Sequence, residues 1–128
     1  MNKRQLGKTD INLTAIGFGG APLGNLFENL DERNCYDILE KSYEKGINIY
    51  DTSPLYGYGL SEHRLGNFLK TVDEDSYFLS TKVGRYLTPA KKDNIDRGRF
   101  AGSLNFSPNL DYSYDGVMRA FEQSLLRL

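Results

Sequence analysis

One cysteine, one histidine and no apolar run long enough to cross a bilayer exclude several classes of protein before any motif is sought. Cys35 has no second cysteine for an internal disulfide and no clustered histidines to join in a metal site, so neither a disulfide framework nor a metal centre is expected. It reads instead as a small core residue on a helix. The segment Met1-Asn2-Lys3-Arg4-Gln5-Leu6-Gly7 carries charge without an apolar run. That argues against a signal peptide or a membrane span and makes the cytoplasm the expected compartment. An excess of one charge is also missing: 16 Lys and Arg against 17 Asp and Glu leave a net charge of −1, so no polyanion is expected as a partner.

What is present is the makeup of an ordinary folded domain. The chain has 128 residues, 39% of them hydrophobic and 26% charged, enough to build a sizeable core and unlike a disordered tail. Residues 1–128 read as one unit without internal repeat, linker or low-complexity tract.

Periodicity and punctuation predict strands alternating with helices. Residues 3–14 alternate loosely around Gly7 and read as a hairpin. Thr14 to Phe18 is a short apolar run that ends in Gly19-Gly20-Ala21-Pro22, which suits a buried strand entering a tight loop. Asp31 is placed to cap a helix over about 32–45, with Cys35, Ile38, Leu39, Ser42 and Tyr43 on one face and Gly46 as the stop. A strand from Ile47 to Asp51 follows. A second helix from Ser61, its expected cap, to Val72 aligns Leu65, Phe68, Leu69 and Val72, and a third strand spans Tyr77 to Lys82. The third helix begins near Ser113, carries Val117, Phe121, Leu125 and Leu128 on one stripe, and meets no stop signal. A hairpin followed by three β-α units argues for right-handed crossovers and a parallel sheet. The stretch from Gly84 to Tyr112 is expected to be a long, substrate-covering loop. Its Arg97, Arg99 and Phe100 could suggest nucleic-acid binding, but Asp93 and Asp96 offset the charge and no stacking platform appears.

In parallel α/β sheets, sites form where strands meet their following loops. Three chemically apt residues fall there. Asp51 ends the second strand, Tyr56 lies in the loop after it, and Lys82 ends the third. A tyrosine is a sluggish proton donor at neutral pH unless a cation stabilises its phenolate; Lys82 can supply that charge and Asp51 can support the ammonium. Each residue also has a plain structural reading. Asp51 could make an Asx-type turn before Pro54, Tyr56 could pack, and Lys82 could be solvated. The joint placement at one sheet edge favours chemistry. Gly17-Phe18-Gly19-Gly20 lacks the full spacing of a dinucleotide fingerprint, and its glycines read as places where a flat ring or a side chain approaches the backbone. His63, in the first turn of the second helix, is expected to face solvent.

These residues and their order resemble the N-terminal part of an aldo-keto reductase. The likeness is carried by Arg4-Gln5-Leu6-Gly7-Lys8-Thr9, Gly17 to Ala21, Gly46 to Ser53, Leu55-Tyr56-Gly57, Ser61 to Gly66 and Ser80-Thr81-Lys82-Val83-Gly84. It implies an α/β fold, namely a partial (β/α)8 TIM barrel made of an N-terminal hairpin and the first three βα units. It further implies an NAD(P)-dependent oxidoreductase that moves hydride between nicotinamide and a small-molecule carbonyl or alcohol. By the same resemblance Tyr56 is the proton donor, Lys82 lowers its pKa, and Asp51 supports Lys82. Gly19, Gly20 and Ala21, with Asp51, would border the nicotinamide end of NADP or NAD. The stretches Asp111 to Met118 and Ser124 to Leu128 look most like the aldose and pyridoxal dehydrogenase branch.

The resemblance also implies a catalytic histidine and further cofactor contacts on later elements that these residues do not include. The expectation is therefore an N-terminal portion of such an enzyme, inactive by itself. The competing expectation is a non-catalytic partial barrel that self-associates through its open strand edges.

Overall fold

The computed structural model describes all 128 residues. Strands β1 (Lys3–Gln5) and β2 (Asn12–Thr14) form the antiparallel hairpin, turning through Gly7 at φ +57°. Asn48 ties this hairpin to the rest: its Oδ1 accepts from the Thr14 N–H at 2.8 Å and its Nδ2 donates to the Asn12 carbonyl at 2.9 Å. Thr14 is thus part of the hairpin, and the following strand is shorter than the apolar run suggested. β3 is only Phe18–Gly19, and Ile16 is exposed.

A parallel sheet of order β3-β4-β5 follows, with β4 at Ile49–Asp51 and β5 at Phe78–Ser80. Helix α1 (Glu32–Glu44) starts where expected, because Asp31 Oδ1 accepts from the N–H groups of Arg33 and Asn34 at 2.9 and 3.2 Å. Helix α2 (Leu60–Leu69) does not start as expected. Its N-cap is Gly59 at φ +96°, and Ser61 is buried inside the first turn with its hydroxyl engaged elsewhere. The core lies between the sheet and these two helices: Leu23, Cys35, Leu39, Tyr50, Leu65, Phe68 and Leu69 form one buried cluster. Tyr36 and Tyr43 of α1 meet the Phe68 ring edge-on at 5.6 and 6.1 Å. No helix is long and apolar enough to cross a membrane.

Two expectations change in the last third of the chain. Gly84 to Tyr112 is not a structureless cover: β6 (Arg85–Pro89) and β7 (Phe106–Leu110) form an antiparallel hairpin, joined by an irregular segment. Its prolines, Pro89 and Pro108, disguise it in sequence, yet a two-stranded ribbon tolerates them because each strand has one unpaired edge. Helix α3 (Tyr114–Arg127) covers that edge. The Gln123 side-chain amide accepts from the Leu87 N–H and donates to the Leu87 carbonyl, both at 2.8 Å, as a neighbouring strand would.

The second change is the face that α3 buries. Ser113 caps it as expected, its Oγ accepting from the Gly116 N–H at 3.1 Å. The buried positions, however, are Gly116, Ala120 and Ser124, whereas Phe121 and Leu125 of the apolar stripe are 45% and 62% exposed. Small residues win because α3 lies very close to its neighbours. A Cβ on Gly66 of α2 would come within 2.8 Å of Leu128 Cα. The larger side chains are displaced to a shallow groove beside β5, lined by Leu79, Phe121, Leu125 and Leu128.

Candidate functional site

The parallel register sets Gly19, Asp51 and Ser80 in a row across the carboxyl ends of β3, β4 and β5. Two residues beyond Ser80, Lys82 turns back over that row. Its Nζ donates to Asp51 Oδ2 at 2.6 Å and to the Thr52 carbonyl at 2.8 Å, and it sits 5.0 Å from the centre of the Tyr56 ring. Ser80 Oγ donates to the other Asp51 oxygen at 3.0 Å. Partial burial works against the Lys82 ammonium. The Asp51 carboxylate, aided by the Tyr56 phenol, outweighs it and holds the Lys82 pKa above the ordinary lysine value.

Tyr56 is held by its loop. The Tyr56 N–H donates to the Ser53 carbonyl at 3.0 Å, and the Tyr56 carbonyl accepts from the Ser61 N–H at 3.2 Å. Gly24 and Gly57 let two backbone segments touch: a Cβ on Gly24 would lie 2.5 Å from the Tyr56 carbonyl carbon, and one on Gly57, at φ +63°, would lie 2.5 Å from the Gly24 oxygen. Neither position has room for a side chain. Phe100, from the segment between β6 and β7, covers Tyr56 and Tyr58 with ring centres 6.3 and 6.2 Å away. Tyr56 and Lys82 face a cavity of about 400 Å³ that is also lined by Pro54, Leu55, Arg85 and Tyr112.

The glycine loop divides in two. Gly20 is closed in: its N–H donates to the Asp51 carbonyl at 2.7 Å, its carbonyl accepts from Ser61 Oγ at 2.7 Å, and a Cβ would meet that hydroxyl at 2.8 Å. Gly19 is open, since a Cβ there would meet nothing within 4 Å. Ala21 opens the short 3₁₀ turn Ala21–Gly24. The structure thus brings Asp51, Tyr56 and Lys82 together, with Gly19, Gly20 and Ala21 at the adjoining strand end. It leaves His63 apart, exposed on α2. Partial desolvation of the His63 ring and then the Arg127 charge keep its pKa below the usual imidazole value.

Sequence reasoning missed the supports. Glu62 is fully buried; Oε1 accepts from Thr81 Oγ1 at 2.7 Å and Oε2 from Arg127 Nε at 2.6 Å. Thr81 lies between Ser80 and Lys82, the two residues that hold Asp51, so this bridge ties the backbone carrying Lys82 to both α2 and α3. Arg64 fixes the loop after β3 in a similar way, donating to the Leu23 carbonyl and to Asn25 Oδ1, both at 2.7 Å, and pairing with Glu32. Strand alternation alone could have placed Thr81 opposite Ser80 and Lys82. Nothing local in the sequence points to Arg127 as the partner of Glu62.

Residues 15–128 match the family model described as the aldo/keto reductase family. Among curated proteins, the chain is 43% identical to a pyridoxal 4-dehydrogenase of Microbacterium luteolum, over 98% of this chain and 39% of that protein. It is 34% identical to an L-galactose dehydrogenase of Arabidopsis thaliana, over 98% of this chain and 34% of that protein. The holo form of an aldo-keto reductase from Bacillus halodurans superposes with a TM-score of 0.73 at 34% identity, covering 100% of this chain and 36% of the other. The chain therefore spans little more than a third of the length of these relatives.

Proposed function

We propose a function from one premise: the chain belongs to the aldo/keto reductase family. Within an NAD(P)-dependent oxidoreductase of that family, these residues supply the proton-transfer half of the site, in a partial barrel of a hairpin and three βα units. The observation that carries this reading is the single Lys82 ammonium that bonds Asp51 and lies over Tyr56 at a cavity wall. In the reducing direction, Tyr56 gives its phenolic proton to the substrate carbonyl oxygen. The Lys82 ammonium stabilises the phenolate that forms, and Asp51, fixed by Ser80, balances Lys82. In the oxidising direction the same phenolate oxygen takes the proton from the alcohol.

The residues present fit a nicotinamide ring. The open face of Gly19, in register with Asp51, leaves space for a flat group, and the ring would be bordered by Gly19, Gly20, Ala21 and Asp51. NAD or NADP bound there would give or take the hydride. The names of the relatives favour pyridoxal-like or sugar substrates. A protein bearing these residues should oxidise NAD(P)H in the presence of such a carbonyl compound, read as loss of the reduced cofactor's absorbance. The 128 residues alone should not, since the one histidine, His63, is exposed on α2 and does not line the Tyr56 cavity. Turnover by the isolated chain contradicts that division of labour.

A second reading is a non-catalytic partial barrel acting through edge-to-edge association. It is favoured by the groove beside β5, where Leu79, Phe121 and Leu125 are 36%, 45% and 62% exposed. Sedimentation at increasing concentration separates the two, because a strictly monomeric chain removes this alternative.

A further inference from the structure

Arg85 has no role in the proton transfer described above, yet it lines the same cavity as Tyr56 and Lys82. Its charge is unmatched. The five ion pairs of the chain are Arg33–Asp37, Lys41–Glu44, Arg64–Glu32, Lys82–Asp51 and Arg127–Glu62, and none involves Arg85. The residue is partly buried at the cavity wall, and no carboxylate pairs with its guanidinium. Its nitrogens are not sealed off either: the buried unpartnered side-chain atoms are Ser124 Oγ and Arg127 Nη2. The position of Arg85 is set by its surroundings. It opens β6 paired with Leu110, and the preceding Gly84, at φ +91°, is pressed by the Tyr112 ring that forms another part of the cavity wall. Of the two cations lining this cavity, Lys82 is engaged by Asp51 and Thr52, and Arg85 is free.

We propose that Arg85 anchors an anionic group, a carboxylate or a phosphate, carried by the carbonyl substrate whose oxygen faces Tyr56. This rests on the reading of the Tyr56 cavity as the carbonyl site and narrows its substrate class. A guanidinium matches such oxyanions with paired hydrogen bonds, and charge-assisted bonds of this kind are worth about a tenfold change in affinity or more.

The test reads binding and not hydride transfer, so its failure is distinct from a failure of the redox reading. The 128-residue chain is titrated with 4-formylbenzoate and with its neutral methyl ester, following the Arg85 side-chain N–H and the Tyr56 ring by NMR. The acid is expected to bind about tenfold more tightly than the ester, with the preference weakened by salt, lost in Arg85→Gln, largely kept in Arg85→Lys and unchanged in Arg119→Gln. Equal binding of acid and ester, no binding of either, or a preference that survives Arg85→Gln overturns the proposal. A parallel titration with NADPH separates the other source of oxyanions: if the dinucleotide alone moves the Arg85 signal, the anchor belongs to the cofactor's phosphates and the substrate assignment falls.

Discussion

At the residue scale, Lys82 reaches Asp51, Thr52 and Tyr56 from one ammonium group, and the balance of forces on it is open to measurement. Partial desolvation lowers its pKa, and the Asp51 carboxylate more than compensates. Replacing Asp51 with Asn removes the compensation and leaves the desolvation, so the Lys82 pKa should fall. The fall is detectable as faster acetylation of Lys82 at neutral pH by mass spectrometry, with exposed Lys45 as the internal standard. Unchanged Lys82 reactivity would show that Asp51 does not hold the ammonium. The three members of this cluster were legible in the sequence because each ends a strand or enters the next loop, and parallel register makes those ends neighbours. Arg85, Phe100 and Tyr112 were not, because their places depend on a hairpin that the prolines concealed.

At the scale of elements, the Glu62 bridge joins the segment just after β5 to α2 and α3, and two substitutions grade it. Glu62→Ala leaves the Arg127 guanidinium, only 11% exposed, without its carboxylate and should cost about 3–5 kcal/mol. Thr81→Val removes one donor to Glu62 and should cost about 1–3 kcal/mol. Chemical denaturation gives both values, and a Thr81→Val loss equal to that of Glu62→Ala would contradict the ranking. The same elements show where periodicity misleads. Helix α2 was readable because Leu65, Phe68 and Leu69 do face the core. Helix α3 was misread because Gly116, Ala120 and Ser124 allow close approach, and that displaces Phe121 and Leu125 to the groove beside β5. Apolar spacing reports which residues can be buried; the distance between elements decides which ones are.

For the whole molecule, the shifted acids and bases act in one direction on the alkaline side. Burial raises the pKa values of Cys35, Tyr50, Tyr58 and Tyr77 above their ordinary values, and Lys82 is raised through Asp51 against its own desolvation. The folded chain therefore holds these protons to higher pH than the unfolded chain does. Their contribution to stability is fully present below the ordinary thiol value of 9.0 and is lost as pH rises through the folded values. The melting temperature should fall progressively above about pH 9. A flat or rising profile there would mean that these groups are as exposed in the fold as in the unfolded chain. The hairpin, the three parallel strands and the three helices, and the sheet end where Asp51, Tyr56 and Lys82 meet, were readable from sequence. The β6-β7 ribbon and its closure by Gln123 were not, because a side-chain amide standing in for a strand leaves no periodic trace.

In the proposed mechanism Tyr56, supported by Lys82 and Asp51, moves the proton. The most direct measurement of that role is Tyr56→Phe in an active protein bearing these residues, with turnover and cofactor affinity determined separately. Loss of the phenolic proton should lower kcat by about 10²–10⁴ with the dissociation constant of NAD(P)H nearly unchanged. Retained turnover, or a loss of cofactor affinity equal to the loss of rate, would contradict that role.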